Sequence, residues 1–158
     1  MSSDRTPGAR PIPTIVQALS PLVRRLLRIG MPMGDNALLT VRGRTSGEPR
    51  TFPITILEAD GRRYVFAAFG EVNWVRNLRA AGGAATLAQG RNRQPITALE
   101  LTPDEAAPIL RTGLTAALKI PMFGSMIGGW YGLTARSSPE DYQAAARAHA
   151  GFELRPAA

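Results

Sequence analysis

A short basic loop is the segment of this sequence whose residue types and spacing are best suited to chemistry. Two glycines frame the turn and allow it to expose backbone N–H groups. Ser46 adds a hydroxyl, and Arg44 and Arg50 supply cations suited to phosphate or carboxylate groups. The loop therefore predicts an anion-binding cradle, although an ordinary hairpin loop with exposed arginines would have the same composition. Its sequence is Gly43-Arg44-Thr45-Ser46-Gly47-Glu48-Pro49-Arg50, which matches neither a P-loop nor a Rossmann glycine fingerprint.

Cysteine and histidine, which are common in metal sites and in nucleophilic catalysis, are nearly missing from the chain. The 158 residues include no Cys and a single His, His149. Thiolate catalysis and Cys-ligated zinc or iron–sulfur sites are therefore excluded, and we expect no metal site. Any redox chemistry must come from a bound organic cofactor.

The charge balance favours anionic partners. The formal net charge is +7, and all the basic residues except Lys119 are arginines spread along the chain. Such a surface attracts phosphates, polycarboxylates or acidic lipid. Aromatic residues make up only 6% of the chain, and no pair of Phe/Tyr-rich strands is visible. We therefore expect no nucleic-acid partner.

Strand-like segments lie on both sides of the loop and must position it. They are short and rich in β-branched, aliphatic and aromatic residues, and they span residues 37–42, 50–58, 63–69, 84–89 and 94–101. Asp60-Gly61 predicts one hairpin turn, and residues 90–93 predict another. Strands at this spacing predict a barrel or sandwich of antiparallel pairs.

Three helices are predicted among or after these strands. Residues 72–81 form the first, which ends at Gly82-Gly83. The second opens on Thr102-Pro103-Asp104-Glu105, a capping box, and runs to about residue 118. The third covers residues 139–148, with Ser138 as its N-cap.

Two further segments of the C-terminal third have weaker patterns. Residues 119–132 are apolar and rich in Gly and Met, which predicts a mobile lid or extra loop. Residues 152–155 follow the last helix and predict a closing strand or an extended tail.

The N-terminal part separates into an arm and a basic helix. Residues 1–13 are polar and Pro-rich, without the apolar segment of a signal peptide, so we expect a flexible arm and a cytoplasmic protein. Residues 14–29 place apolar side chains at helical spacing between arginines, which predicts an amphipathic helix too short and too charged to span a bilayer. This helix either packs on the rest of a single domain, residues 14–158, or lies on a membrane surface.

Two motifs identify a family that this sequence resembles. Residues 38–53 read LLTVRGRTSGEPRTFP, and residues 73–80 read NWVRNLRA. Their order and spacing are similar to those of the deazaflavin-dependent nitroreductases, and the similarity covers roughly residues 37–101. Residues 141–154 are arranged similarly. The resemblance implies an α+β, mainly β fold, namely an FMN-binding-like split β-barrel with peripheral helices, and it implies coenzyme F420 as the cofactor.

The resemblance also implies a set of cofactor-binding residues. The phosphate and oligoglutamate tail of F420 would lie on Arg44, Thr45, Ser46, Gly47 and Arg50. The deazaflavin ring would be lined by Pro53, Ile54, Thr55 and Ile56 on one strand and by Ala67, Ala68 and Phe69 on the next. Trp74 and Asn77 would close the groove, although Trp74 could equally be a core aromatic that caps the barrel.

The sequence departs from the family pattern at several positions. Thr45 stands where the family has a second basic residue, so the tail has one cation fewer. The C-terminal tyrosines that bind nitro substrates survive at most as Tyr142, and the catalytic residues stay unknown, with Tyr131 and Tyr142 as candidate proton donors. The apolar insert at residues 119–131 implies a more apolar substrate pocket.

The expected reaction is hydride transfer from reduced F420 to an activated alkene, a quinone or a nitro-type electrophile, with a small apolar or quinone-like substrate. One alternative is an FMN-binding oxidoreductase of the same fold. Another is a non-catalytic carrier that holds a lipid or apolar metabolite in the groove and docks on a membrane through residues 14–29. A third is recruitment to one biosynthetic step.

Overall fold

The computed structural model describes residues 36–157, so the predicted arm and the predicted helix 14–29 lie outside the described residues. The strands are β1 (Asn36–Arg42), β2 (Pro49–Thr55), β3 (Leu57–Ala59), β4 (Arg62–Phe66), β5 (Ala84–Gln89), β6 (Asn92–Glu100) and β7 (Gly151–Pro156). The helices are α1 (Asn73–Ala80), α2 (Pro103–Leu118), α3 (Phe123–Tyr131) and α4 (Pro139–Ala148). Within residues 36–157, no helix is both long enough and apolar enough to cross a bilayer.

All seven strands form one antiparallel sheet in the order β2-β1-β5-β6-β7-β4-β3. Its two edges, β2 and β3, are separated in the chain by Ile56 alone. The sheet must therefore curl until its edges meet, which is the geometry of a split barrel. The prediction of a split β-barrel is confirmed, but the prediction of one strand over residues 50–58 is wrong, because the chain leaves one edge and joins the other at Ile56.

The hairpin turns refine the predicted strand boundaries. The hairpin turn predicted at Asp60-Gly61 forms, and both residues have positive φ angles, 51° and 74°, as a type I′ turn requires. The second predicted turn is shorter than residues 90–93, because Asn92 pairs with Gln89 and belongs to β6. Strand β4 ends at Phe66 rather than at residue 69, although the Ala67 N–H still donates to the Ala150 carbonyl at 2.9 Å.

Two hydrophobic clusters occupy the two faces of the curled sheet. One fills the barrel and includes Leu39, Val65 and Phe152. The other lies between the sheet and the helices α2, α3 and α4, and it includes Tyr64 and Leu110. The alternation of side chains along β4 assigns Tyr64 to the helical cluster and Val65 to the barrel cluster.

The capping sequences of α2 and α4 form as predicted. The Glu105 N–H donates to the Thr102 hydroxyl at 3.2 Å, and the Thr102 N–H donates to the Glu105 carboxylate at 3.0 Å. The same reciprocal pair forms between Ser138 and Asp141. These bonds satisfy backbone donors at the helix starts, which explains why the sequence located both starts to the residue.

The prediction of a loop over residues 119–132 is wrong, because this segment contains α3. Its glycines indicated a break, but tertiary packing overrides their low helix propensity. Ile127 and Trp130 pack against the helical cluster, and Tyr131 belongs to it. Gly128 lies so close to the Leu133 carbonyl that a Cβ built on it would stand 2.3 Å from that oxygen, so a glycine is needed for this approach.

Candidate functional site

The glycine-framed loop, residues 43–48, is a tight connection between β1 and β2. Arg42 pairs with Pro49 at its base. The Gly43 N–H donates to the Glu48 carbonyl at 2.8 Å, and the Gly47 N–H donates to the Gly43 carbonyl at 2.9 Å. Gly47 has a φ angle of 73°, in the left-handed region that favours glycine. The loop therefore has a defined backbone on which its polar side chains are mounted.

Asn77 joins this loop to helix α1. Its side-chain oxygen accepts from the Arg44 backbone N–H at 3.2 Å and from Arg44 Nη1 at 2.7 Å. Arg44 Nη2 lies 3.5 Å from the Asn73 side-chain oxygen. Asn77 is buried at 4% exposure, whereas Arg44 is exposed. The two sequence motifs, 33 residues apart, are thus brought into direct contact, and Asn77 fixes the orientation of the Arg44 guanidinium.

An ion-pair cluster holds the far end of α1. Arg79 donates to Glu71 at 2.8 Å and to Glu100 on β6 at 2.5 Å. The hydrogen bond with Glu100, followed by that with Glu71, raises the pKa of Arg79. The cluster ties α1 to the preceding loop and to the sheet, so Asn77 is carried on an anchored helix. Sequence reasoning missed this cluster, because its three residues are far apart in the chain.

A concave pocket with a volume of about 680 Å³ opens beside the loop, a size suited to a bound small molecule. Two of its ten lining residues are arginines, and none is acidic. Among residues 36–157, no carboxylate forms a salt bridge with Arg44 or Arg50. The pocket is lined by Gly43, Arg44, Thr45, Ser46, Pro49, Arg50, Thr51, Phe52, Asn73 and Asn77.

The pocket has the donor set that a phosphate or carboxylate chain requires. It offers guanidinium groups for charge-assisted hydrogen bonds and hydroxyls on a rigid turn. Four of the predicted tail-binding residues, Arg44, Thr45, Ser46 and Arg50, line it together with Asn77. The other five lining residues were not predicted to bind the cofactor, although all of them lie within the two motifs: Gly43, Pro49, Thr51, Phe52 and Asn73.

The predicted ring-lining residues divide between exposed and buried positions. On β2 the alternation of side chains leaves Pro53 and Thr55 exposed, while Ile54 and the following Ile56 belong to the barrel cluster. The side chains of these four residues therefore do not share one surface. Of these four residues, which are predicted to line the deazaflavin ring, Pro53 and Thr55 are the two with exposed side chains.

The second predicted ring-lining segment lies where β4 ends. Ala67 is buried in the barrel cluster, and Ala68 packs on the helical cluster. Phe69 is half-buried and meets Trp130 of α3 edge to face, with ring centroids 5.2 Å apart. Helix α3 therefore reaches the segment that is predicted to contact the cofactor.

Trp74 is half-buried at the start of α1, with its ring centroid 6.0 Å from that of Phe152. It packs against the barrel cluster as the core alternative for this residue requires. The part of the Trp74 side chain that is exposed remains accessible for the predicted contact with a cofactor. Both readings of Trp74 are thus compatible with its position.

The candidate proton donors Tyr131 and Tyr142 are both buried in the helical cluster. Desolvation raises the pKa of Tyr131, whose ring centroid lies 4.7 Å from that of His149. The His149 ring is itself buried and its Nδ1 lies 2.7 Å from the Ala67 carbonyl. Neither tyrosine lines the pocket beside the loop, and their role in proton transfer stays a prediction.

Comparisons with known proteins agree with this architecture. Two solved structures match over most of their length. One, described as a "domain-swapped dimer", has a TM-score of 0.54 and 18% sequence identity and covers 91% of this chain and 100% of its own. The other, a "Structure of F420-H2 Dependent Reductase (FDR-A)", has a TM-score of 0.50 and 20% identity and covers 79% of this chain and 98% of its own. At these identities the matches show the fold.

A comparison of the sequence with models of protein families shows the family of this chain. A model of the family described as "F420H(2)-dependent quinone reductase" matches residues 23–120, which is more than half of the chain and includes the loop, α1 and the sheet strands β1 to β6. No curated protein gives a significant match. The resemblance to deazaflavin-dependent enzymes is therefore confirmed, and F420 is the cofactor that the family uses. The chain belongs to the F420H(2)-dependent quinone reductase family and is an F420-dependent oxidoreductase with a split β-barrel fold.

Proposed function

We propose that this protein transfers a hydride from reduced F420 to a quinone-like electrophile. The pocket beside the loop carries the proposal, because it combines hydroxyls on a hydrogen-bonded turn with two arginines that form no salt bridge to a carboxylate among residues 36–157, as a polyanionic cofactor tail requires. The name of the family supports a quinone as the acceptor. Activated alkenes and nitro compounds are the alternative acceptors of the same class.

The residues of the chain would bind and orient rather than react. Arg44 and Arg50 would hold the phosphate and glutamate carboxylates, and Asn77 would keep Arg44 in position. Reduced F420, when bound, supplies the hydride. The Phe69–Trp130 pair and Trp74 would form apolar walls that exclude water from the reacting atoms. A quinone that accepts this hydride and one proton becomes a hydroquinone, and the proton would come from water or a tyrosine hydroxyl.

We expect purified protein to oxidise reduced F420 in the presence of a soluble quinone. The reaction would be followed by the return of the absorbance of oxidised F420, with parallel reactions that contain a nitroaromatic or an activated alkene. Quinone turnover that exceeds turnover of the other acceptors is the expected result. Cofactor binding without turnover of any acceptor would indicate a carrier or a dedicated biosynthetic protein instead.

We also propose peripheral contact with anionic membranes through residues 14–29. Their apolar stripe and arginines support it, as does a second apolar surface on the described part of the chain. Ile120, Met122 and Met126 are exposed at or close to the junction of α2 and α3, and Met122 has the highest exposed fraction of the three, 88%. A membrane-dissolved quinone would then be within reach of the enzyme.

Co-sedimentation with vesicles tests this contact. Full-length protein should bind anionic vesicles weakly and be released by salt, because surface charges are screened as ionic strength rises. Removal of residues 1–29 should reduce binding, and Met122→Ser should reduce it further if the second surface takes part. Binding that is unchanged by the deletion would contradict the role of residues 14–29.

A further inference from the structure

The glycine-framed loop has a second concave side. A pocket with a volume of about 670 Å³ lies between the loop, the end of α1 and the start of β5. It shares four residues with the first pocket, from Gly43 to Ser46, so the loop forms a ridge between two hollows. Among the residues that the structure describes, no acidic side chain lines this pocket, and the residues that it does not share with the first pocket are Arg42, Gly47, Ala80, Ala81 and Ala84.

Arg42 is the arginine that lines the second pocket but not the first, so it adds a second cation to that of Arg44. It is the last residue of β1, and its side chain is exposed. Its guanidinium lies against Gly47, where a Cβ would stand 3.6 Å from Nη2. Among residues 36–157, no carboxylate forms a salt bridge with Arg42. Within the described residues, Arg42 is thus a cation without a carboxylate partner, and no acidic side chain from that part of the chain lines its pocket.

Three arginines lie one after another from the first pocket, across the ridge, to the second pocket. Arg50 lines the first pocket only, Arg44 lines both pockets, and Arg42 lines the second only. A ligand that extends from the first pocket across the ridge into the second would therefore lie beside an arginine in each pocket and another on the ridge. Such a ligand needs anionic groups repeated along a flexible chain, because a single phosphate can occupy only one of the two hollows.

We propose that the second pocket binds the distal glutamate carboxylates of the F420 tail and that Arg42 determines the preference for longer tails. The inference rests on the proposed function of the first pocket, whose arginines would hold the proximal part of the tail. It also accounts for Thr45, which stands where the family has a basic residue. The charge missing from the loop would be supplied from the adjacent strand by Arg42.

Fluorescence titration with coenzyme of different tail lengths tests this proposal. The ligands are F420 lacking glutamate, F420 with a short tail and F420 with a long tail. Wild-type affinity should rise with tail length. Arg42→Ala should weaken binding of the long-tailed coenzyme by about 10-fold, the contribution of roughly one charge-assisted hydrogen bond. It should leave the glutamate-free coenzyme unaffected and remove most of the dependence on tail length.

Arg91→Ala is the matched control. Arg91 is an exposed arginine in the turn at the opposite end of β5 from Ala84, which places it about 20 Å away along the strand. Arg91→Ala removes the same net charge as Arg42→Ala does. The Arg91→Ala variant should bind every form of the coenzyme with wild-type affinity. Thermal unfolding of both variants checks that they fold.

The outcomes separate this proposal from the one on which it rests. If wild type binds short-tailed and long-tailed F420 with the same affinity, or if Arg42→Ala loses no more affinity for the long-tailed coenzyme than Arg91→Ala does, the second pocket does not bind the tail, while the first pocket stands. The proposal would also be wrong if Arg42→Ala lost the same factor of affinity for every tail length. Arg42 would then act on the part of the coenzyme that all forms share. If no form of F420 binds wild type, both proposals fail.

Discussion

Arg50→Ala is expected to weaken F420 binding by about 10-fold to 100-fold while the protein remains as stable as wild type. The side chain is exposed and lines the first pocket without a carboxylate partner among residues 36–157. Its hydrogen bonds to phosphate or carboxylate would be charge-assisted and contribute roughly 1.5–3 kcal/mol. Removing it should change the free energy of unfolding by about 0.5 kcal/mol or less. Fluorescence titration and chemical denaturation measure the two quantities.

Arg44→Ala is expected to reduce affinity by a similar factor but also to affect stability. The sequence alone predicts that Arg44 is exposed and has no buried partner; Arg44 is exposed, but the second part of the prediction is wrong. Its Nη1 donates to the buried Asn77 side chain at 2.7 Å. Loss of that bond should cost about 1 kcal/mol of unfolding free energy. If both single variants bind full-length F420 as wild type does, the loop is not the cradle.

Asn77→Ala is expected to damage both the fold and the cofactor site. The change removes the acceptor of two hydrogen bonds from Arg44, one from its backbone and one from its guanidinium. We expect a loss of about 1–3 kcal/mol in the free energy of unfolding. Because Arg44 would then no longer be oriented toward the pocket, F420 affinity should fall by about 10-fold or more.

Asn77→Asp distinguishes two contributions of Arg44 to binding, namely the orientation of its guanidinium and its positive charge. A carboxylate at this position keeps the acceptor for both Arg44 bonds, so stability should be close to that of wild type. It also neutralises Arg44 beside the pocket and repels carboxylates of the ligand, so F420 affinity should still fall. Wild-type affinity in both Asn77 variants would show that the contact between α1 and the loop has no part in binding.

The sequence predicted best those features that depend on neighbouring residues. The Asp60-Gly61 turn and the capping boxes at Thr102 and Ser138 have local causes, so the corresponding elements begin or turn where they were expected. The basic loop was recognised for the same reason. Its glycines and arginines are close together in the chain, and the order of the two motifs is enough to indicate the family.

Features that depend on distant contacts were not accessible in this way. The break at Ile56 arises because a curled sheet must bring its edges together, which no local pattern near Ile56 indicates. Helix α3 forms in a glycine-rich segment because Trp130 and its neighbours bury surface against residues elsewhere in the chain. The bond between Arg44 and Asn77 spans 33 residues, so the two motifs can be recognised in the sequence but their contact cannot.

Side-by-side titration of the wild-type protein with F420 and with FMN tests the central claim most directly. Several arginines around one loop match an extended polyanionic tail, whereas FMN offers a single phosphate. We therefore predict tighter binding of F420 than of FMN, with an F420 affinity that decreases as salt rises. Equal affinities, or tighter binding of FMN, would contradict the account and would favour a flavin oxidoreductase of the same fold.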